Sequence, residues 1–580
     1  MDKILRIDMG ATGGPAYRVE PLGAYTGLGG RAMTSAIVAG EVPPLCHPLS
    51  ADNKLVIAPG LLSGSTAAMS GRISVGCKSP LTGGIKEANS GGQPSQMLGR
   101  LGYAAIVLEG KPADDTLYKV VISPGGVTIT ADSSLKMMGN YAVVEKMKAE
   151  FGDKIACISI GQAGEMKLSA ASVAFTDIEL RPTRHAARGG VGAVMGAKGV
   201  KVIVVDDSGL KTRKPADPDK FKEANKRFVE GLRRHPVTGQ GLPDYGTNVL
   251  QNVINEAGGL PTRNFTSGRF EGCAKICGET QAELENQRGG KGSATNGCHR
   301  GCVIRCSGTF FDQNGVYVTK QPEYETVWAH GSNCGIDDLD VIAQLDRLDD
   351  DFGIDTIEMG ATIGVAMEGG LAKFGDAEAA IRLVKEVGQG TALGRILGSG
   401  AAVTGQVFGV ERIPVVKRQA MPAYDPRAVQ GIGVTYATST MGADHTAGYA
   451  VTANILGVGG SVDPLKPVGQ VELSRNLQIA TAAIDSTGMC LFIAFAILDQ
   501  ADTFQALLDV ISTFTGASLT ADDVTALGQK VLKMERTFNE KAGFSNKDDR
   551  LPTFFQKQPL PPHNVVFNVS DEELDQVFNF

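Results

Sequence analysis

The sequence predicts an α+β protein: a β-rich, turn-rich first region followed by two mainly α-helical ones. Three observations point there. Apolar, β-branched runs closed by Gly or Asp recur up to Asp206 and then stop. Helical periodicity takes over from Phe221 onward. The chain has 580 residues, too many for one core, which favours roughly three to four domains.

The elements follow in chain order. The start, Met1 to Asp8, reads as a strand, as do Ala104 to Gly110, Lys154 to Gly161 and Lys201 to Asp206. Asp207 to Lys220 is charged and holds two prolines, so it reads as a linker. Phe221 to Leu232, Asp337 to Leu348, Ala377 to Val387, Gln470 to Ile484 and Ala501 to Phe514 carry helical periodicity. A second break falls near Val410 to Pro414. The resulting boundaries are 1–206, 207–412 and 413–580. The proline-rich tail, Asn546 to Pro562, is expected to wrap the surface. There is no solenoid period and no low-complexity tract.

Bulk properties narrow the class. Apolar content of 42% with 21% charged residues describes a folded globular chain. The 74 glycines imply many turns and many close backbone approaches. A net charge of −7 argues against nucleic acid or an anionic membrane as the main partner. The longest apolar candidate, Gly488 to Leu498, is too short to span a bilayer, which needs about 18 residues. The acidic-interrupted start does not resemble a signal peptide. A cytoplasmic address is therefore expected, with the ten cysteines as reduced thiols or metal ligands.

Three of those cysteines, Cys298, Cys302 and Cys306, have C-x3-C-x3-C spacing, and Cys490 stands far away in a Gly-containing turn. An iron–sulfur cubane needs four thiolates, and a tight trio with one remote partner can supply them. Two other readings stay open: three buried small hydrophobes, or a zinc site using Cys298, His299, Cys302 and Cys306. Cys273 and Cys277 share the x3 spacing but lack a third thiol. They read as packing residues, with Cys46, Cys77, Cys157 and Cys334.

An internal echo frames the fourth cysteine. Asp350 to Asp355 and Asp485 to Cys490 both have the form Asp-x-x-Gly-apolar-Asp/Cys, 135 residues apart. Two Gly-rich segments, Gly71 to Gly92 and Arg184 to Lys198, offer backbone N–H groups beside an arginine, as a phosphate needs. Taken singly, each also reads as ordinary turns. Acid–base candidates are Glu323 and Glu325 in Pro-Glu-Tyr-Glu-Thr, and His445, one of seven histidines.

As a set, in this order and spacing, these segments resemble the aldehyde ferredoxin oxidoreductase family over nearly the whole chain. The motifs are Ser70 to Gly92, Ala187 to Lys198, the cysteine trio, Pro-Glu-Tyr-Glu-Thr, both D-x-x-G motifs, Ala443-Asp444-His445 and Asp549 to Pro552. The resemblance implies a β-rich base for a tungsten (or molybdenum) bis-pterin cofactor, covered by two helical domains, with one 4Fe-4S cluster. Cys298, Cys302, Cys306 and Cys490 would ligate the cluster. A Mg ion bridging the cofactor phosphates would be held by Asn89 and the backbone at Ala187. Arg72, Gly91, Gly92, Arg188, Gly189 and Gly190 would line the cofactor. Asp350, Gly353, Asp355, Asp444, Asp485 and Gly488 would complete its site. An ionised carboxylate only accepts hydrogen bonds, which suits the N–H edge of an aminopyrimidine.

The implied reaction is oxidation of an aldehyde to a carboxylic acid with water. Electrons would leave through the cluster to ferredoxin or an iron–sulfur partner subunit, in a homo- or hetero-oligomer. Glu325 or Glu323, with His445, would handle protons, Glu325 being favoured by spacing. Two departures stand out. The family's usual trio is C-x2-C-x3-C, one residue shorter before the second cysteine. Where some members carry an E-x-x-H pair for an intersubunit iron, this chain reads Gln344-Leu345-Asp346-Arg347, so no such iron is expected. Two alternatives remain. The same cofactors could reduce an aromatic acyl thioester or carboxylic acid in a larger complex. Or the chain could be a non-catalytic iron–sulfur electron carrier.

Overall fold

The computed structural model describes residues 1–288 and 296–580. Its first region holds two six-stranded sheets of identical connectivity. The first contains β1 (Lys3–Asp8), β2 (Ala16–Pro21), β3 (Leu55–Pro59), β4 (Ile73–Lys78), β5 (Ile85–Ser90) and β6 (Tyr103–Glu109), in the order β2-β1-β6-β3-β4-β5. The second contains β7 (Tyr118–Ser123), β8 (Gly126–Ala131), β9 (Ala156–Ser159), β10 (Val173–Phe175), β11 (Arg184–Ala186) and β12 (Val200–Val205), in the order β8-β7-β12-β9-β10-β11. In each sheet the first and last strands in sequence pair in parallel, and the other pairs are antiparallel. Helices follow the same plan. Gly30–Glu41 and Asn140–Phe151 come after the opening hairpins, and Pro94–Arg100 and Val191–Ala197 precede the last strands.

The apolar runs in the sequence follow from burial on both faces of these strands. Leu5, Ile57, Val75 and Ile106 of the first sheet share one core with Val120, Ile158, Ile203 and Val205 of the second. On the outer faces, Met33, Ile37 and Val38 cover Ile4, Val56 and Val107. Val143, Val144 and Met147 cover Cys157, Val202 and Val204. Each such side chain contributes about 1.5–3 kcal/mol by leaving water.

After Val205 the chain runs without helix or strand to Pro218. Arg213 pins this strap, its Nη1 donating to the carbonyls of Leu61 (2.9 Å) and Ser63 (2.7 Å). The helix Pro218–Arg234 then starts with Asp217 capping the N–H of Lys220 and proline at the first position. Helix now dominates, with Leu339–Phe352, Thr356–Glu368, Gln470–Thr487, Ala501–Thr515 and Ala521–Lys541 among the longer elements.

The tail lies over the surface, most of Asn546 to Pro562 being exposed, and is anchored by a few buried side chains. Leu551, Phe554, Phe555 and Leu560 are buried, and Phe555 packs edge-on to Phe265 with centroids 5.4 Å apart. The prolines shape the path, but burial of two adjacent aromatics decides where the segment goes.

Both D-x-x-G motifs are helix C-termini. Asp350 lies in the last turn of Leu339–Phe352 and Asp485 in that of Gln470–Thr487. Gly353 (φ 73°) and Gly488 (φ 84°) take the left-handed conformation that ends each helix. Each end docks at the same place on its own sheet. Gly60 follows β3 and abuts Gly488, where an added Cβ would lie 1.9 Å from Cα. Gly161, after β9, abuts Phe352, where a Cβ would lie 2.3 Å from the carbonyl carbon. The N–H of Arg72, just before β4, bonds the Gly488 carbonyl (2.9 Å), and that of Ser172, just before β10, bonds the Gly353 carbonyl (2.8 Å). The sequence echo is thus a structural two-fold repeat.

Candidate active site

A cavity of about 360 Å3 lies where both sheets meet the helical regions. It is lined by Arg72, Asn89 and Gly91 from the first sheet, and by Ala187 and Arg188 beyond β11. Glu323, Glu325, Asp350, Asp355, Asp444, His445, Asp485, Cys298, Cys306 and Cys490 line it too. One space therefore collects most of the residues singled out in the sequence. Gly92, Gly189 and Gly190 stand just outside it in left-handed backbone, at φ 106°, 82° and 76°.

The two-fold repeat reaches the site with different side chains. Strand register makes Asn89 on β5 the counterpart of His185 on β11. Arg72 Nε donates to Asn89 Oδ1 (2.5 Å), and in the other half Ser172 Oγ bonds His185 Nδ1 (2.7 Å).

The two motif aspartates sit in opposite electrostatic settings. Lys320 Nζ bonds both oxygens of Asp350 (3.0 and 2.8 Å), and His185 Nε2 stands 3.1 Å from Oδ1. Burial disfavours the charge, but Lys320 and His185 win and hold Asp350 down to about 2. Asp485 has Arg31 Nη1 at 3.5 Å, yet Arg31 is already forked onto Glu535 (2.9 and 2.8 Å). Burial, then the Glu87 carboxylate, push Asp485 up to about 8. The surroundings thus favour the ionised form of the first aspartate and the neutral form of the second.

Arg188 gathers a third group. Its Nε reaches Asp355 (3.2 Å), and its Nη atoms donate to the carbonyls of Ala443 (2.6 Å) and Ala420 (2.5 Å). Asp355 also caps the helix Thr356–Glu368 through the N–H of Ile357. Asp444 pairs with Lys86 at 3.3 Å, and its carboxyl is held well below the usual range by Lys86 and Arg188 against burial.

The two glutamates of Pro-Glu-Tyr-Glu-Thr diverge because they sit two residues apart at a helix start. Glu323 precedes Tyr324–His330, bonds Arg184 Nη1 at 2.9 Å and is 42% exposed. Glu325 points to His445, its Oε1 lying 3.4 Å from Nε2, and both side chains are 16% exposed. Glu325 Oε2 accepts from the N–H of Ala423 (3.1 Å), whereas Oε1 and His445 Nδ1 make no hydrogen bond. Burial pushes Glu325 up to about 8 and His445 down to about 4, with Arg188 adding to the second shift.

Beyond this pair the lining becomes apolar, with Tyr449, Ile484, Leu491, Phe492, Phe495 and Leu498. Tyr424, Tyr449 and Phe495 form an aromatic ladder, with centroids 5.7 and 6.2 Å apart, and Tyr424 and Tyr449 share a hydroxyl hydrogen bond of 2.6 Å. The cavity's cations (Arg31, Arg72, Arg184, Arg188 and Lys320) all bond protein groups at its polar end.

Met69 connects the two cysteine segments. It adopts φ 64°, donates its N–H to Gly301 (3.0 Å) and accepts from the N–H of Cys490 (3.0 Å). Cys298 and Cys302 lie within sulfur hydrogen-bond range, and that bond leads in holding the Cys298 thiol well below normal and Cys302 above it. Burial, then Cys490 and Cys298, push Cys306 up. The four sulfurs thus share one electrostatic neighbourhood. A single zinc would need its ligand sulfurs within about 4 Å of one another, given a bond of about 2.3 Å. Among the described residues, no group of three or more His, Cys, Asp or Glu could hold one ion. His299 bonds Arg300 O through Nδ1 (2.8 Å), and its Nε2 is buried without a hydrogen-bond partner. The other thiols behave as packing residues: Cys77, Cys157 and Cys273 are buried, and burial pushes each up to about 12.

Several lining residues escaped sequence reasoning. Arg184 and His185 stand in the Gly-rich segment already noted, and Lys320 lies two residues before Pro-Glu-Tyr-Glu-Thr, so proximity to a motif was their signal. Arg31 gave none, and its partner Glu535, behind the lining, is 504 residues away.

Two family profiles cover the chain. "Aldehyde ferredoxin oxidoreductase, N-terminal domain" matches residues 4–207, and "Aldehyde ferredoxin oxidoreductase, domains 2 & 3" matches residues 223–579. A tungsten-containing aldehyde ferredoxin oxidoreductase of Pyrococcus horikoshii is 38% identical over 92% of this chain and 88% of its own length. One from Thermococcus kodakarensis is 35% identical over 96% and 92%. Among solved structures, the active-site complex BamBC of benzoyl coenzyme A reductase with 1,5-dienoyl-CoA superposes with a TM-score of 0.79. It covers 99% of this chain and 93% of that one at 19% identity, a likeness of fold.

Proposed function

The chain belongs to the aldehyde ferredoxin oxidoreductase family, and on that premise we propose that it oxidises aldehydes to carboxylic acids with water as the oxygen source. The balance is RCHO + H2O → RCOOH + 2H+ + 2e−. The observation that carries the reading is the Glu325–His445 pair. Two unbonded proton-handling atoms face the same cavity as the cysteines, where polar floor meets apolar wall.

The tungsten pterin cofactor implied by the family supplies, when bound, the two-electron redox centre. The residues present fit such a group. Asp350, Asp355, Asp444 and Asp485 offer carboxyl groups from the two symmetric helix ends and the loops between them, while Arg72 and Arg188 offer cations for phosphate. Gly91 leaves open a position where a Cβ would meet Cys298 Sγ at 2.9 Å and Arg72 Nη1 at 3.4 Å. We assign two pterins to the two repeat-related sites, Mg to Asn89 and the Ala187 backbone, and a 4Fe-4S cluster to Cys298, Cys302, Cys306 and Cys490. Asp350 enters this arrangement already bonded to Lys320 through both oxygens, so it contributes only its remaining lone pairs.

Glu325 is the base. With its carboxyl poised near 8, Oε1 takes the proton released from water as the aldehyde is hydrated. His445, uncharged near neutrality, orients the substrate oxygen through Nε2. The apolar wall receives the aldehyde's organic group and keeps bulk water from it. Arg72 places its charge near Cys490, Cys298 and Asp485, where it would favour the more negative state of a cluster held by those cysteines. Anaerobic viologen reduction with a panel of aldehydes tests the reading. Aldehyde-dependent reduction is expected, and no turnover of any aldehyde would refute it.

A further inference from the structure

We propose that Glu358, which does not line the cavity, is a positioning residue that sets the spacing of Glu325 and His445. This rests on the reading that the pair handles protons, and adds what fixes its geometry. Both members hang on one short segment, Gln419 to Ala423. At its far end the N–H of Ala423 donates to Glu325 Oε2 (3.1 Å), and the Ala423 carbonyl accepts from the hydroxyl of Tyr324 (2.7 Å). At its near end Gln419 Nε2 donates to the carbonyl of Ala443 (2.5 Å), two residues before His445. Arg188 ties that same carbonyl (2.6 Å) to the one of Ala420 (2.5 Å). Any shift of the segment is thus passed to both members of the pair.

Glu358 anchors that segment. Its side chain is fully enclosed, Oε2 accepting from the N–H of Ala420 (2.9 Å) and Oε1 from that of Ala401 (3.0 Å). Oε2 also lies 3.8 Å from Arg188 Nη2. Gly400 makes the approach possible, since a Cβ there would stand 2.7 Å from Oε1. A carboxyl group with both oxygens engaged fixes direction as well as distance, which an apolar side chain of the same size cannot do. Burying it is costly unless its hydrogen bonds are made, and here both N–H partners are backbone.

The helix that carries Glu358, Thr356–Glu368, also docks the helix that carries Glu325. Thr356 Oγ1 bonds Thr326 Oγ1 (2.9 Å), and Gly360 sits so close to Ala329 that a Cβ would stand 2.5 Å from the Ala329 Cβ. One helix is therefore the common frame of both members. The turn before Gln419 is braced from elsewhere. Lys417 Nζ pairs with Asp549 Oδ1 (2.6 Å) and donates to the carbonyl of Ala437 (2.9 Å). Asp549, singled out in the sequence and absent from the cavity wall, thus belongs to the same brace.

The test compares anaerobically purified wild type, E358Q and Q419L by crystallography and by aldehyde-linked viologen reduction. Glutamine at 358 keeps the volume but offers one acceptor to two N–H groups. In E358Q the Glu325–His445 spacing should change by about 1 Å, and kcat should fall about 10- to 100-fold with KM nearly unchanged. Q419L frees Ala443 alone, so His445 should move while the Ala423–Glu325 bond stays. On an H445A background E358Q should cost severalfold less than on wild type, because the position of an absent side chain cannot matter. Wild-type spacing in E358Q, or a fully additive loss on the H445A background, would overturn the proposal. If E358Q does not fold, Q419L decides: an unmoved His445 with wild-type kcat overturns it equally. A wild type that turns over no aldehyde sinks the proposed reaction instead, and the crystal structures still judge the role of Glu358.

Discussion

Nε2 of His445 lies 3.4 Å from Oε1 of Glu325, yet the two are too poorly aligned to hydrogen-bond. Both groups are enclosed, so burial works against charge on each. Near neutral pH the pair is a carboxylic acid beside a neutral imidazole, holding one proton between them rather than two charges. Such a pair can release or take a proton without creating an isolated buried ion.

The pH dependence follows from this pair. Ionisation of Glu325, raised to about 8, should bring kcat/KM up as pH passes through that value. Glu325→Gln should lower kcat by about 10²–10⁴ and remove the rise. A folded pKa above the ordinary 4.5 means that stability falls as pH climbs from 4.5 through about 8. Thermal unfolding of wild type should lose ground to E325Q across that window. A pH–rate profile that E325Q leaves unshifted would show that another group is the base.

Cys490→Ser should remove or convert the cluster while sparing most of the fold. The residue's backbone, bonded to Met69, can stay in place when only the sulfur is lost. Iron content and the cluster's EPR signal report this. Iron content equal to wild type would mean that the fourth ligand lies elsewhere. Cys298→Ser asks the same of the unusual first spacing.

The glycine contact beneath the second D-x-x-G motif can be probed from the sheet side. Gly60→Ala places a Cβ 1.9 Å from the Gly488 Cα, backbone that cannot yield cheaply. A cost of about 1–3 kcal/mol is expected, with reduced tungsten content as the Asp485 helix end lifts. Gly125→Ala, where the nearest atom is Ser123 Oγ at 3.6 Å, is the control. Equal metal content and unfolding temperature in the two variants would show that this docking does not matter.

The apolar wall should set substrate preference. Phe495→Ala removes the outer rung of the aromatic ladder. It should lower kcat/KM for benzaldehyde by about 10- to 100-fold while formaldehyde, which cannot reach the wall, changes little. A parallel loss for both aldehydes would instead mark Phe495 as structural.

What the sequence made legible follows physical lines. Strands buried on both faces announce themselves as continuous apolar runs, so Ala104 to Gly110 and Lys201 to Asp206 were readable. The D-x-x-G echo was readable because a helix ending in left-handed backbone calls for glycine. The duplication of the sheets was hidden because the halves share topology and not side chains. Asn89 faces one site with an amide, and its counterpart His185 faces the other with an imidazole. Arg31 and Glu535 were invisible because nothing local marks a pair joined only by the fold. The tail does run over the surface, most of Asn546 to Pro562 being exposed, but nothing in its sequence marked Phe554 and Phe555 as the buried anchors that fix its path. Of the two glutamates, spacing favoured Glu325, but only the direction of the helix start separates one that bonds Arg184 from one that faces His445.

Metal analysis of anaerobically purified protein tests the central claim most directly. The account predicts about one tungsten or molybdenum per chain, together with about four irons. Iron without tungsten or molybdenum, or zinc alone, would contradict it.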